Sequence, residues 1–109
     1  MLPKKERLSR DAFNRFFSLG RRVHSKNFTI VYSSHAGLNV SVVTSKKVSP
    51  SAVIRNKVRR RIYDSMRHCR DEYHVGGVYI FLTKAGIAKV SYALLREEIY
   101  EQVRTIMKK

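Results

Sequence analysis

"AVIRNKVRRRIYDSMRHCR", residues 52–70, is the stretch on which the fold turns. Ile54, Val58, Ile62 and Met66 recur every fourth residue with Cys69 beside them, which predicts a helix with one buried stripe. On either side the period changes. Residues 39–45 alternate around Val40 and Val42, and "GGVYIFLT", residues 76–83, is the nearly continuous apolar run expected of a central strand covered on both faces. A strand, a crossover helix and a second strand predict a parallel pair inside a mixed sheet.

Further out, residues 27–33 alternate around Phe28, Ile30 and Tyr32, and residues 34–37 read as a turn joining this strand to the next in a hairpin. Ser9 is a good N-cap, Phe13, Phe16 and Phe17 follow at helical spacing, and Gly20 supplies a stop, so residues 9–19 read as a short helix with Leu8 and Phe13 stapling its entry. Ser91 caps a last helix with the stripe Tyr92, Leu95, Ile99, Val103 and Ile106. The order helix, strand, strand, helix, strand, helix predicts an α+β sandwich. With 109 residues, 43% of them hydrophobic, and no repeat or linker, residues 1–109 read as a single domain with one modest core.

Lys and Arg number 23 against 8 Asp and Glu, a net charge of +15, which points to a large polyanion as partner. From Ala12 to Tyr63 there is not one acid. Cys69 is the single cysteine, excluding an internal disulfide and fitting a reducing cytoplasm. The start, MLPKKERLSRD, has no apolar core of signal-peptide length, and no apolar run approaches a membrane span. The expectation is a cytoplasmic protein without a membrane partner.

At 100° per residue the polar side of the basic helix carries Arg55, Arg59, Tyr63, Asn56, Arg67 and Arg60 as one arc, with Lys57 and Arg61 on the other flank. Arginine forks match phosphate oxygens, Asn56 both donates and accepts, and Tyr63 offers a ring, so the arc suits a nucleic-acid backbone. A merely solvated face would carry like-charge repulsion without return. Three phenylalanines on so short a helix leave at least one to line a cleft, with Phe16 the one read as packing. His24, His35, His68 and His74 lack metal-ligand spacing, and there is neither a paired-carboxylate signature nor a glycine-rich phosphate loop. No catalytic residue is assigned in the protein.

These residues resemble the protein subunit of bacterial ribonuclease P. Ser45, Lys46 and Lys47, then a loop, then Arg55, Asn56, Lys57, Val58, Arg59 and Arg60 match its signature of a serine and two lysines before an Arg-Asn dipeptide opening a basic helix. "RLSRDAFNRFFSLGRRV", residues 7–23, is similar to the family's first helix, with Phe13 and Phe17 at its aromatic positions, and "VYIFLTKAG", residues 78–86, to its central strand. Two departures stand out. Ser49, Pro50 and Ser51 replace a glycine and a shorter loop, and Tyr63 stands where the family commonly keeps a cation.

The resemblance implies about four strands in a mixed sheet with three helices and a left-handed βαβ crossover. It implies a partnership with ribonuclease P RNA, the catalytic RNA that cuts the 5′ leader from precursor tRNA. Lys46, Lys47, Arg55, Asn56, Lys57, Arg59, Arg60, Arg61 and Arg67 would meet that RNA. Phe13, Phe17, Val31 and Lys84 would line a cleft for the leader, with Tyr32 on the opposite face by alternation. Cleavage would belong to magnesium held mainly by the RNA subunit, with no small-molecule cofactor. The other readings are a ribosomal or ribosome-assembly RNA-binding protein and a protein-only nuclease built on a histidine such as His68.

Overall fold

The computed structural model describes residues 9–35 and 37–108. Its elements are α1 (Arg10–Leu19), β1 (Arg21–His24), β2 (Phe28–Ser33), β3 (Leu38–Val43), α2 (Ala52–Tyr73), β4 (Gly77–Thr83), a short 3-10 helix (Ala85–Lys89) and α3 (Tyr92–Met107). Ser9, Ser51 and Ser91 each cap a helix by accepting a backbone N–H, from Ala12, Ile54 and Leu94. The predicted staple of Leu8 on Phe13 lies outside the described residues.

β3, α2 and β4 form the expected crossover, with β3 and β4 parallel from Leu38↔Gly77 to Val43↔Leu82. The sheet order is β1-β2-β4-β3. Here the structure corrects the predicted hairpin, because β4 lies between β2 and β3 and pairs antiparallel with β2. The hairpin is formed instead by β2 with β1, the edge strand that the sequence reading missed.

Strand alternation sends Phe28, Ile30, Val40, Val42, Tyr79 and Phe81 to one face, where α2 and α3 bury them in the main core. Val31, Val78 and Ile80 point the other way and are covered by Phe13, Phe16 and Phe17 of α1, with Leu82 at the margin. All three phenylalanines therefore face the sheet. None of the α1 residues is fully buried, so the three rings cover the sheet while staying partly exposed.

Gly20 ends α1 for a steric reason. A Cβ there would stand 2.4 Å from Val31 Cγ1 and 2.9 Å from the Phe16 carbonyl oxygen, so only glycine lets the helix end lie on β2. On the far side of the molecule, Glu98 of α3 accepts from Ser25 Oγ, from the Asn27 N–H at 3.0 Å and from Asn27 Nδ2 at 2.7 Å, clamping the β1–β2 turn.

Candidate nucleic-acid interface

The loop before α2 is drawn onto the helix. Lys47 N–H donates to Ser45 Oγ at 3.2 Å and Val48 N–H to the Ser45 carbonyl at 3.0 Å, so "SKK" forms a tight turn beyond β3 and not the end of the strand. Lys46 and Lys47 are exposed on that turn, while Val48 and Ser49 are buried. Ser49 Oγ accepts from Ser51 N–H at 3.1 Å, and its carbonyl accepts from Arg55 Nη1 at 2.8 Å. The longer Ser49-Pro50-Ser51 loop is thus held by its own serines and by Arg55.

Arg59 is held in the same way, donating to Thr44 Oγ1 at 2.7 Å and to Asn56 Oδ1 at 2.9 Å. Asn56, Lys57 and Arg60 are exposed, and among the described residues no ion-pair partner occupies Lys57 or Arg60. The Arg61 guanidinium lies over the Tyr92 ring, 5.5 Å from its centroid. Arg67 is paired with Asp64 at 2.9 Å and, more loosely, with Asp71 at 3.8 Å. Hydrogen bonds from the Tyr92 hydroxyl and from Arg67 hold the Asp64 carboxyl at about 2, well below its ordinary value, so this acid stays charged and occupied.

Two residues of α2 lie other than predicted. Tyr63 is 8% exposed and belongs to the main core, so its ring offers no stacking face. The reason is geometric: α2 packs on both β3 and α3, which widens its buried sector beyond a single stripe. Ile54, expected within the stripe, is 41% exposed because it lies on the first turn, at the end of that packing.

On the other sheet face, Phe13 and Phe17 stack at 5.5 Å between centroids, and the Arg22 guanidinium lies 4.8 Å from the Phe17 centroid. Val31 is sealed beneath α1 at 1% exposure and forms a floor, not an open wall. Beside α1 the row His24, Thr29, Leu82 and Val43 runs across all four strands, with His24 and Val43 exposed. Sequence reasoning missed this row, although Leu82 follows Ile80 in the alternation of β4. Lys84, just past β4, is exposed and donates its Nζ to the Ser25 carbonyl, which ties it to the β1–β2 turn. Tyr32 packs on Tyr79 on the opposite face, as alternation requires.

Burial pushes the Cys69 thiol up to about 12, leaving it an inert core residue. Among the described residues no group of three His, Cys, Asp or Glu side chains is placed to hold a metal ion, and Asp64 is already engaged by Tyr92 and Arg67. No helix among the described residues is long and apolar enough to cross a membrane.

These features define a small α+β protein with a cationic helix on one side of its sheet and a partly open face beside α1 on the other. The family model described as Ribonuclease P matches residues 2–107, and the chain belongs to that family. It is 31% identical over 107 residues to the ribonuclease P protein component of Synechococcus sp. (strain JA-2-3B'a(2-13)), covering 92% of this chain and 80% of that one. It is 25% identical over 103 residues to the Bacillus cereus (strain AH187) counterpart, covering 90% and 88%. Among solved structures, it is similar to a Staphylococcus aureus RNase P protein mutant with defective mRNA degradation activity, with a TM-score of 0.81 at 22% identity over 96% of this chain and 90% of that one. The RNase P protein from Thermotoga maritima superposes with a TM-score of 0.77 at 18% identity, covering 92% and 96%. The protein is thus a component of an endoribonuclease complex with a role in 5′ processing of tRNA, and the ribosomal reading is set aside.

Proposed function

We propose that the protein binds ribonuclease P RNA through α2 and the turn before it, and the 5′ leader of precursor tRNA along the sheet beside α1. The observation that carries the first half is the uncompensated charge of the α2 surface. Lys57 and Arg60 are exposed without a described ion-pair partner, Lys46 and Lys47 are exposed on the preceding turn, and nearby Asp64 is engaged internally. Arg55, Asn56, Arg59, Arg61 and Arg67 complete this surface while also making bonds within the fold. Neutralising phosphates releases counterions, so such a surface favours a polyanion and loses affinity steeply with salt.

The second half is supported by the stacked Phe13–Phe17 pair beside a sheet row that α1 leaves partly open. A single strand can lay bases on aromatic and apolar side chains there, and Lys84 stands at the end of β4. On this proposal the magnesium ions that support phosphodiester hydrolysis are held by the RNA, and the protein contributes affinity and position in the cytoplasm. Purified protein mixed with ribonuclease P RNA and 5′-labelled precursor tRNA at low magnesium tests the proposal. Accurate 5′ cleavage that requires RNA and rises strongly with protein is expected. Tight, salt-sensitive RNA binding without enhancement would count against it, and cleavage by protein alone, abolished in His68→Ala, would revive the protein-only nuclease.

A further inference from the structure

Two hollows meet on the outer flank of α2, and Lys57 and Arg61 line both. The first, about 430 Å³, has Val48, Pro50, Ile54, Val58 and Ala88 among its lining, with Lys89 also contributing. The second, about 270 Å³, is completed by Arg60, Asp64 and Tyr92. The wall they share is held in place. Arg61 rests on the Tyr92 ring, and the Tyr92 hydroxyl donates to Asp64 Oδ2 at 2.5 Å. The result is one furrow joining the loop after β3, α2, the 3-10 helix and the start of α3.

Its chemistry is divided. The first hollow is largely apolar and includes Ile54, which is 41% exposed. Around it stand four cations, Lys57, Arg60, Arg61 and Lys89, against the single acid Asp64, which already accepts from Tyr92 and Arg67. A paired RNA helix offers phosphates to such a rim but nothing to the apolar recess. An unpaired nucleotide supplies both, a flat base to cover Ile54 and flanking phosphates to meet the cations.

We propose that this furrow accepts an unpaired nucleotide of the RNA partner, its base in the recess over Ile54 and its neighbouring phosphates on Lys57, Arg61 and Lys89. The proposal rests on the ribonuclease P reading and deepens it by giving α2 a base-accepting site besides its backbone contacts. Tyr92, from α3, becomes a positioning residue for Arg61.

The test compares Ile54→Asp with Val53→Asp in the full-length protein bound to ribonuclease P RNA. Both positions lie in the first turn of α2, where an added carboxylate favours the helix, and both change the net charge equally. Val53 is 74% exposed and does not line the furrow. Ile54→Asp is expected to weaken RNA binding about ten-fold more than Val53→Asp. Equal losses would overturn the proposal, since they would show only the long-range effect of charge.

A photoreactive benzophenone side chain at position 54 provides a second readout that does not depend on the folding of the aspartate variant. Crosslinking to an unpaired nucleotide supports the site. Crosslinking to paired RNA alone, or none to RNA, overturns it, the latter leaving the furrow to an acidic protein partner. If the unmodified protein neither binds the RNA nor raises its cleavage, the ribonuclease P reading itself fails, an outcome distinct from those above.

Discussion

Arg59 on α2 reaches back to Thr44, just past β3, and donates to its Oγ1 at 2.7 Å. With Arg55 bonded to the Ser49 carbonyl, it fastens the Lys46–Lys47 turn to the helix that follows. The basic run therefore contains two kinds of arginine, those that shape the surface and those that only present charge.

Arg60 belongs to the second kind. Arg60→Ala should weaken binding to the RNA subunit by about 1–3 kcal/mol and reduce the salt slope by about one, with an unchanged melting temperature. Arg59→Ala should lower affinity and melting temperature together, because it also releases Thr44 and Asn56. Binding titrations across a salt series, paired with thermal melts, separate the two. An Arg60→Ala protein with undiminished affinity would remove that residue from the interface.

Phe17→Ala tests the other side of the sheet. Affinity for precursor tRNA carrying its leader should fall by about 1–3 kcal/mol, the scale of one stacked base, while affinity for the RNA subunit stays constant. A substrate with its leader trimmed away should show no difference between the two proteins. Equal losses on both substrates would mean that Phe17 only holds α1 in place.

Gly20→Ala should destabilise the protein by about 1–3 kcal/mol through overpacking, since the added Cβ meets Val31 at 2.4 Å. Urea unfolding measures this directly. A neutral result would show that α1 can shift away from β2 at little cost.

Asp64 sets an acid limit on stability. Its carboxyl is held at about 2, against 3.8 ordinarily, first by the Tyr92 hydroxyl and then by Arg67. Because the folded value is the lower one, this contribution is full above 3.8 and is lost as pH falls from there towards about 2. Asp64→Asn should therefore flatten that part of the urea-midpoint profile and leave a smaller difference at the lowest pH. A parallel shift at every pH would assign the effect to packing.

The parts of this fold legible in the sequence are those written in local periodicity. α2, α3 and the doubly covered β4 announce themselves by spacing, and Ser91 marks where α3 begins. β1 was hidden because Arg21, Arg22 and His24 are exposed on an edge and show no apolar alternation. Strand order was hidden for a different reason: pairing β4 between β2 and β3 depends on contacts far apart in the chain. At the interface, the cations were visible as composition, but nothing local distinguishes Arg59, which holds the loop, from Arg60 beside it. The furrow was equally out of reach, since Lys89 and Tyr92 join Lys57 and Arg61 only through the fold.

The insertion of β4 between β2 and β3 also orders events during synthesis. Among the described residues β3 pairs only with β4, so its backbone edge stays unmatched until residues 77–83 have emerged and returned to it. Up to that point the only strand pairing available among the described residues is the β1–β2 ribbon, a unit of marginal stability by itself. α2, with all of its positive charge, is synthesised before this closure. A translating ribosome thus releases the cationic helix ahead of the sheet that will carry it, and a chain stalled within α2 presents an open strand edge and a cationic segment at once.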